Sequence, residues 1–317
     1  MVMSRLFRDV DGGALFPHGS VVCIGAFDGL HLGHRALVRR AVTRARELGL
    51  PAVALSFEPL PREFFSRELP PPRLTLARGK YEGLRALGAD SVGLLRFDAR
   101  LSAMSAQDFV HQLLVARLGA REVWIGPDFR FGHRRGGDLT LLQELGAALG
   151  FTADEIEPVQ LQGERVSSTR IREALRGGDF TDATHLLGRP YAIGGRVVRG
   201  KQLGRTLGFP TANLRFPKTP ALSGIYATWV HGVGDRPHAS VSSFGTRPTV
   251  DGVEPLLEAH LFDFDGDLYG RHIEVEFVAK LRDELKFPDL PSLTEQMHRD
   301  AETARRLLSE QPLRATA

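Results

Sequence analysis

"VVCIGAFDGLHLGH" (residues 21–34) decides the architecture of the first half of the chain. Val21 to Gly25 form an unbroken apolar and small run, the pattern of a strand buried on both faces of a parallel sheet. Three glycines, an aspartate and two histidines are packed into residues 25–34, and a helical pattern begins directly afterwards. Leu37, Ala41, Ala45 and Leu48 recur at helical spacing, while Arg35, Arg39, Arg46 and Glu47 fall largely elsewhere. The stretch is therefore a strand-to-helix junction. In an open α/β sheet such a junction, at the carboxyl end of a strand, is where ligands bind.

Similar runs recur as "AVALSF" (52–57), "SVGLLRF" (91–97) and "EVWIG" (122–126), with helical segments between them. One of those helices is announced by Ser105 and Asp108 ahead of "FVHQLLVARLG". Strand and helix in alternation predict a doubly wound α/β domain. The pattern changes near residue 188. Glycine-rich, short alternating segments such as "GIYATWVHGV", "HASVSSFG", "LLEAHLFDF" and "HIEVEFVAKL" predict an antiparallel sheet or small barrel, and an antiparallel β-barrel is the expectation for this half. A last helix closes the chain, with a capping-box pattern at Ser292 and Glu295 and a shared face of Leu293, Met297, Ala301, Ala304 and Leu308. Two unlike domains, 1–186 and 187–317, are expected.

Bulk composition narrows the classes. The 317 residues are 42% hydrophobic and 25% charged, a globular balance. Forty-one basic residues against 38 acidic ones leave a net charge of +3, too little for a nucleic-acid coat or a membrane-surface protein. Cys23 is the only cysteine, which excludes an intrachain disulfide. No segment approaches the roughly 20 apolar residues of a membrane span. The expected location is the cytoplasm, with no nucleic-acid or membrane partner, as a monomer or weak homo-oligomer.

At the junction, Gly25, Gly29 and Gly33 permit tight turns and close backbone approach. The following helix offers free N–H groups and partial positive charge to phosphate. His31 and His34 add ring N–H donors, strongest when protonated. A metal clamp is the competing reading, but it lacks a third ligand, and helical zinc pairs are usually spaced four apart. A second phosphate grip is offered by "RVSSTRIREAL" (165–175), where Ser167, Ser168 and Thr169 precede a helical run and Arg172 adds charge.

"GAFDGLHLGH" resembles the signature of the nucleotidyltransferase superfamily. Its F-D-G lead-in is similar, more narrowly, to the adenylyltransferase half of bacterial bifunctional riboflavin kinase/FMN adenylyltransferases (FAD synthetases). "SFEPLPREFF" (56–65), "GPDFRFGHRRGGD" (126–138) and "RVSSTRIREAL" resemble further segments of that family, in family order. Leu60, where many relatives carry a polar residue, and Pro127 depart from its pattern. The resemblance implies a Rossmann-like nucleotidyltransferase fold. It also implies ATP and phosphate binding by Gly25, Phe27, Asp28, Gly29, His31, Gly33, His34, Ser167, Ser168, Thr169 and Arg172, with His31, His34 and Arg172 catalytic. Phe65, Asp128, Phe129 and Arg130 would line the flavin path.

In the second half, "GKQLGRTLGFPTANL" (200–214) resembles the riboflavin-kinase signature, and "LLEAHLFDFDGDLYG" (256–270) its E-x-H-L segment. The glycine-rich loop, with Gly200, Lys201, Gly208 and Thr211, would cover ATP phosphates. Thr211 and Asn213 stand two apart, on one side of an extended segment, and are hard oxygen donors suited to Mg²⁺. The resemblance places a general base at Glu258, and Arg247 and Arg282 at the border of a flavin pocket. The acids of "DFDGD" lack the spacing of a calcium loop and read as a turn between strands. Riboflavin, FMN, FAD, ATP, ADP and pyrophosphate are the implied ligands, with Mg²⁺ as cofactor. Three rivals make other demands. A single-activity nucleotidyltransferase has no use for "GFPTAN" and "EAHL", a class I tRNA-synthetase fragment would carry a lysine-rich second signature, and a non-enzymatic binding module has no need of the combined set.

Overall fold

The computed structural model describes residues 5–66, 68–200, 204, 207–249 and 252–310, with the backbone alone at 5, 246–249 and 252–254. The chain begins with β1 (Arg5–Phe7) and β2 (Ser20–Ile24), followed by helix α1 (Leu32–Glu47). β3 (Ala52–Glu58), α2 (Pro61–Phe65), α3 (Ala77–Ala86) and β4 (Ser91–Arg96) come next. Two short helices, α4 (Ala99–Ala103) and α5 (Ala106–Asp108), lead into a π-helical stretch, Phe109–Arg117. β5 (Ala120–Ile125), α6 (Leu139–Leu149), β6 (Thr152–Glu155) and the hairpin strands β7 (Gln160–Leu161) and β8 (Glu164–Arg165) precede α7 (Ser168–Gly177).

Six strands, in the order β1-β4-β3-β2-β5-β6, pair throughout in parallel. Every residue of β2 is buried, as its unbroken apolar run demands. Helices cover both faces, giving one core around Ile24, Leu55 and Leu113 and another around Cys23, Leu37 and Val92. This is the expected doubly wound sheet. The strand order reverses between β2 and β5, so the crevice at their carboxyl ends is the topological switch point. Residues 25–31 and 126–131 are the two loops that leave those ends.

Some local expectations shift. Ser105 does cap α5, accepting from Asp108 N–H at 2.9 Å. Leu48, by contrast, caps α1 and is 44% exposed, and Val38 takes its place on the buried face. Leu60 is buried, and its N–H is satisfied by Glu63 Oε2 at 2.9 Å. The segment's apolar residue is thus packing material.

By packing, residues 1–71 with 75–168 form one unit, and 72–74 with 169–317 the other. Within the second, α7 and α8 (Phe180–Leu187) precede β9 (Ala192–Val198), β10 (Ala212–Arg215), β11 (Gly224–His231), β12 (His238–Thr249), β13 (Gly252–Leu261) and β14 (His272–Arg282). The strands close as β10-β13-β12-β11-β14-β9, all antiparallel, so the sheet has no free edge. Alternation sorts the faces. Leu214, Leu257 and Phe244 sit opposite one another and fill the barrel, which turns Asn213, Glu258 and Ser243, also mutually opposite, to the outside. "DFDGD" is the turn between β13 and β14, as expected. The closing helix α9 (Leu290–Glu310) packs Ala304 and Leu308 against Ala227 and Phe262. Its cap is Asp289, whose Oδ1 accepts Ser292 N–H at 2.8 Å; the capping box expected at Ser292 lies one turn too late. Among the described residues, no helix is long and apolar enough to cross a membrane.

Candidate active sites

The first unit's site is built on a loop bent by left-handed backbone at Phe27, Gly29 and Leu30. Only at Gly29 (φ 90°) is the side chain absent, and the other two residues store strain that the surroundings must hold. They do so with a set of bonds. Asp28, 2% exposed, accepts Thr75 N–H through Oδ1 at 3.0 Å, and Gly29 N–H donates to Thr75 Oγ1 at 3.0 Å. Ser168, the first residue of α7, donates its hydroxyl to the Asp28 carbonyl at 2.9 Å. The expected second jaw, 140 residues downstream, thus touches the first at the loop itself.

His31 is the N-cap of α1, its Nδ1 accepting His34 N–H at 3.3 Å. An accepting Nδ1 carries no proton, so the neutral ring bears its hydrogen on Nε2. His34 stacks on His31 with 3.7 Å between ring centroids, and Phe27 meets it edge-on. Desolvation first, and then the charge of nearby Lys80, hold His34 well below the ordinary histidine range. His34 is therefore a neutral N–H donor. Gly25 and Gly33 are small for a neighbouring ring as much as for a ligand: a Cβ there would stand 3.1 Å from the Phe27 ring and 3.2 Å from the His31 ring.

Lys80 and Thr75 carry no motif signal, and sequence reading passed over both. Lys80 on α3 is fully buried and donates to Ser56 Oγ and the Phe57 carbonyl, both at 3.2 Å. Ser56 Oγ in turn donates to the Ala26 carbonyl at 3.0 Å, so α3 supports the loop from below. A lysine inside a helical pattern reads as a solvated face; only burial distinguishes this one.

The loop after β5 carries Asp128 in left-handed backbone, with Oδ2 2.6 Å from Arg165. The Pro127 carbonyl accepts from the same guanidinium. Phe129 stacks on Phe131, and Arg130 pairs with Asp138. Phe65 is 62% exposed and belongs to an aromatic group with Phe64 and Phe97, the latter just beyond the end of β4. Ser167 lies in the first unit, while Thr169 and Arg172 fall in the second, where Arg172 is buried and donates Nε–H to the Pro72 carbonyl at 2.6 Å.

The second unit has two adjoining cavities outside the barrel wall. One, of about 500 Å³, is lined by Thr211, Asn213, Phe264, Asp265, Asp267 and Tyr269. The other, of about 230 Å³, lies under α9 and is lined by Phe209, Thr211, Glu258, His260, Arg282 and Met297. Thr211 borders both. Asn213 is 5% exposed; its Nδ2 donates to the Thr211 carbonyl at 3.1 Å, while Oδ1 is buried with no hydrogen-bond partner among the described residues. An orphaned carbonyl-type oxygen beside an open cavity fits a hard cation such as Mg²⁺. Gly200 presses on that amide, since a Cβ there would lie 2.9 Å from its atoms. Gly208 turns with φ 81°. Arg282 lines the smaller cavity but is committed to Asp300 of α9 at 2.7 Å. Lys201 and the side chain of Arg247 lie outside the described residues. Cys23 is a buried strand residue whose thiol burial pushes up to about 12.

Comparison with known proteins matches both halves. The FAD synthetase family model fits residues 14–170 and the riboflavin kinase model residues 187–308. The bifunctional riboflavin kinase/FMN adenylyltransferase of Escherichia coli strain K12 is 46% identical over 304 residues, 95% of this chain and 97% of its own. That of Haemophilus influenzae is 40% identical, over 95% and 98%. A crystal structure from Streptococcus pneumoniae, described as a macrolide-efflux protein, superposes with a TM-score of 0.77 at 30% identity, covering 96% of this chain and 99% of that one.

Proposed function

The chain belongs to the family of bifunctional riboflavin kinase/FMN adenylyltransferases, and on that premise we propose how its residues divide two consecutive ATP-dependent steps. The chain phosphorylates riboflavin to FMN and transfers an adenylyl group from ATP to FMN, giving FAD and pyrophosphate. The observation that carries this is the 46% identity running through both halves, in the same order, over 95% of the chain. We assign adenylyl transfer to residues 1–186 and the kinase step to 187–317; most of α7 and most of α8 fill the gap between the two family matches.

In the adenylyl step an FMN phosphate oxygen attacks the α-phosphorus of ATP in line. The new O–P bond forms as the bond to the β-phosphate oxygen breaks. The nucleophile is already ionised near pH 7, so no general base is needed. The work is positioning and charge stabilisation. His31 Nε2–H and the neutral His34 ring donate to phosphate oxygens, and the N-terminus of α1 adds N–H groups. The backbone of Gly25–Gly29, with Ser167 and Ser168, shapes the cradle, and Thr169 and Arg172 keep the phosphate-binding assignment that the resemblance implies. Phe65 and Asp128–Arg130 serve the flavin.

In the kinase step the nucleophile is a ribityl hydroxyl, which must lose its proton. Glu258 takes it as the oxygen attacks the γ-phosphorus and ADP leaves. Asn213 Oδ1 and Thr211 would hold Mg²⁺, which neutralises charge on the ATP phosphates. The larger cavity suits the nucleotide and the smaller, with Met297 and Phe209, the flavin ring. Lys201, Arg247 and Arg282 retain their assignments to phosphate and flavin. We place the enzyme in the cytoplasm as a monomer or weak homo-oligomer, with neither nucleic-acid nor membrane partners.

The test is direct. Purified protein is incubated with riboflavin, ATP and Mg²⁺, and the flavins are separated by chromatography. FMN followed by FAD is expected. FMN without FAD removes the adenylyl assignment, and no FMN from riboflavin removes the kinase assignment.

A further inference from the structure

Glu258 and His260 stand two apart on β13, on the same face, and both line the smaller cavity. His260 Nδ1 lies 2.9 Å from the carbonyl oxygen of Pro210. A carbonyl only accepts, so Nδ1 carries the proton and, in the neutral ring, Nε2 does not. Burial holds His260 below the ordinary histidine range. Pro210 lines the larger cavity, and the next residue, Thr211, lines both. The bond therefore crosses the seam between the two pockets.

The described residues beside that point are braced with it. Phe209, 5% exposed, sits between the rings of His260 and His298 of α9, each 4.9 Å away by centroid. Its N–H donates to the Gly204 carbonyl at 2.7 Å, just after the left-handed turn at Gly208. Proline has no N–H, so its carbonyl is the one polar handle its backbone offers. Fixing it fixes the peptide plane into Thr211. The Thr211 carbonyl in turn receives Asn213 Nδ2–H, and that bond decides where the orphaned Oδ1 points.

We propose that His260 is a positioning residue of the kinase step: its Nδ1–H holds the Pro210 carbonyl, and through it orients Thr211 and the Asn213 oxygen between nucleotide and flavin. The inference rests on reading this unit as the riboflavin kinase. His260 touches neither reacting atom; it sets how well Thr211 and Asn213 are aligned.

Asparagine places an amide N–H where histidine has Nδ1–H, and glutamine places it at the Nε2 position. Full-length His260→Asn and His260→Gln are assayed for riboflavin phosphorylation. His260→Asn is expected to keep both KM values within about twofold of the parent, whereas His260→Gln raises KM for ATP and riboflavin roughly threefold to tenfold, the worth of one hydrogen bond. At saturation kcat should stay within about twofold in both, since bound substrate selects the chains in which Thr211 and Asn213 are aligned. FMN-to-FAD conversion in the same chain reports folding. Nitrogen-15 histidine spectra of the unsubstituted protein should show the Nδ1–H tautomer at position 260, a readout that needs no variant. Equal behaviour of the two variants, a loss in kcat alone, or an Nε2–H tautomer would overturn the proposal. If the parent does not phosphorylate riboflavin, or Glu258→Gln still does, the kinase reading falls instead.

Discussion

The two loops proposed to handle phosphate, one in each unit, are held in different ways. Around the loop after β2 most polar groups are bonded to each other, Asp28 to Thr75, Ser168 to Asp28 and His34 N–H to His31, while the buried His34 Nδ1 has no partner among the described residues. At the start of β10, instead, the Asn213 oxygen has no hydrogen-bond partner among the described residues and borders an open cavity, with a second cavity across Thr211. The chemistry accounts for the contrast. A phosphate nucleophile arrives ionised and needs only a rigid cradle of donors, which pre-bonding supplies. On the proposed kinase reading a hydroxyl nucleophile needs a base, and Mg²⁺ on the triphosphate would draw on oxygen acceptors left unspent until substrate arrives.

The sharpest break in that comparison is Glu258→Gln. It should lower riboflavin phosphorylation by about 10²–10⁴-fold while sparing FMN-to-FAD conversion, as initial rates of the two half-reactions will show. Next, His31→Ala should lower FAD formation roughly 10²-fold by removing a preorganised donor, with the kinase rate unchanged. A parallel fall in both rates would mean that the division of labour is wrong. Asn213→Ala should raise the kinase KM for MgATP roughly tenfold, since a bond to a charged partner is lost, and titration with Mg²⁺ should show the shift. Ser168→Ala removes one bond to the Asp28 carbonyl and should slow FAD formation about fivefold.

The smallest effect is on pH. His34 binds its proton less readily folded than its ordinary value of 6.5, so the unfolded chain protonates first as pH falls. Its contribution to stability is intact above that value and is lost progressively below it. Thermal unfolding midpoints between about pH 7 and about pH 5 should therefore fall less in His34→Asn than in the parent.

Much of this was legible in the sequence because the determinants are local. The apolar runs at 21–25 and 52–57 dictate buried strands, and the glycine-rich segments past residue 188 dictate short antiparallel ones. β1 and β6 escaped notice: three and four residues are too few to show a period. The cap of α9 was misplaced because Ser292 and Asp289 both satisfy the local pattern, and the choice belongs to the backbone. Leu48 repeats at helical spacing yet is exposed, since the helix ends just before it.

The residue types and spacing of His31, His34, Thr211, Asn213 and Glu258 were set by sequence alone, and with them the two classes of phosphate chemistry. What tertiary structure decided is how those groups are primed. It chose the tautomer of His31, the neutrality of His34, the buried lysine beneath the loop, and the direction of the Asn213 oxygen. The lysine and the neutrality of His34 depend on partners tens of residues away in the chain, Ser56 for Lys80 and Lys80 for His34. His31 and Asn213 are set by near neighbours, His34 N–H and the Thr211 carbonyl, that only the folded backbone brings into bonding geometry. Desolvation and hydrogen-bond pairing arise only when those segments meet, and no local pattern encodes them.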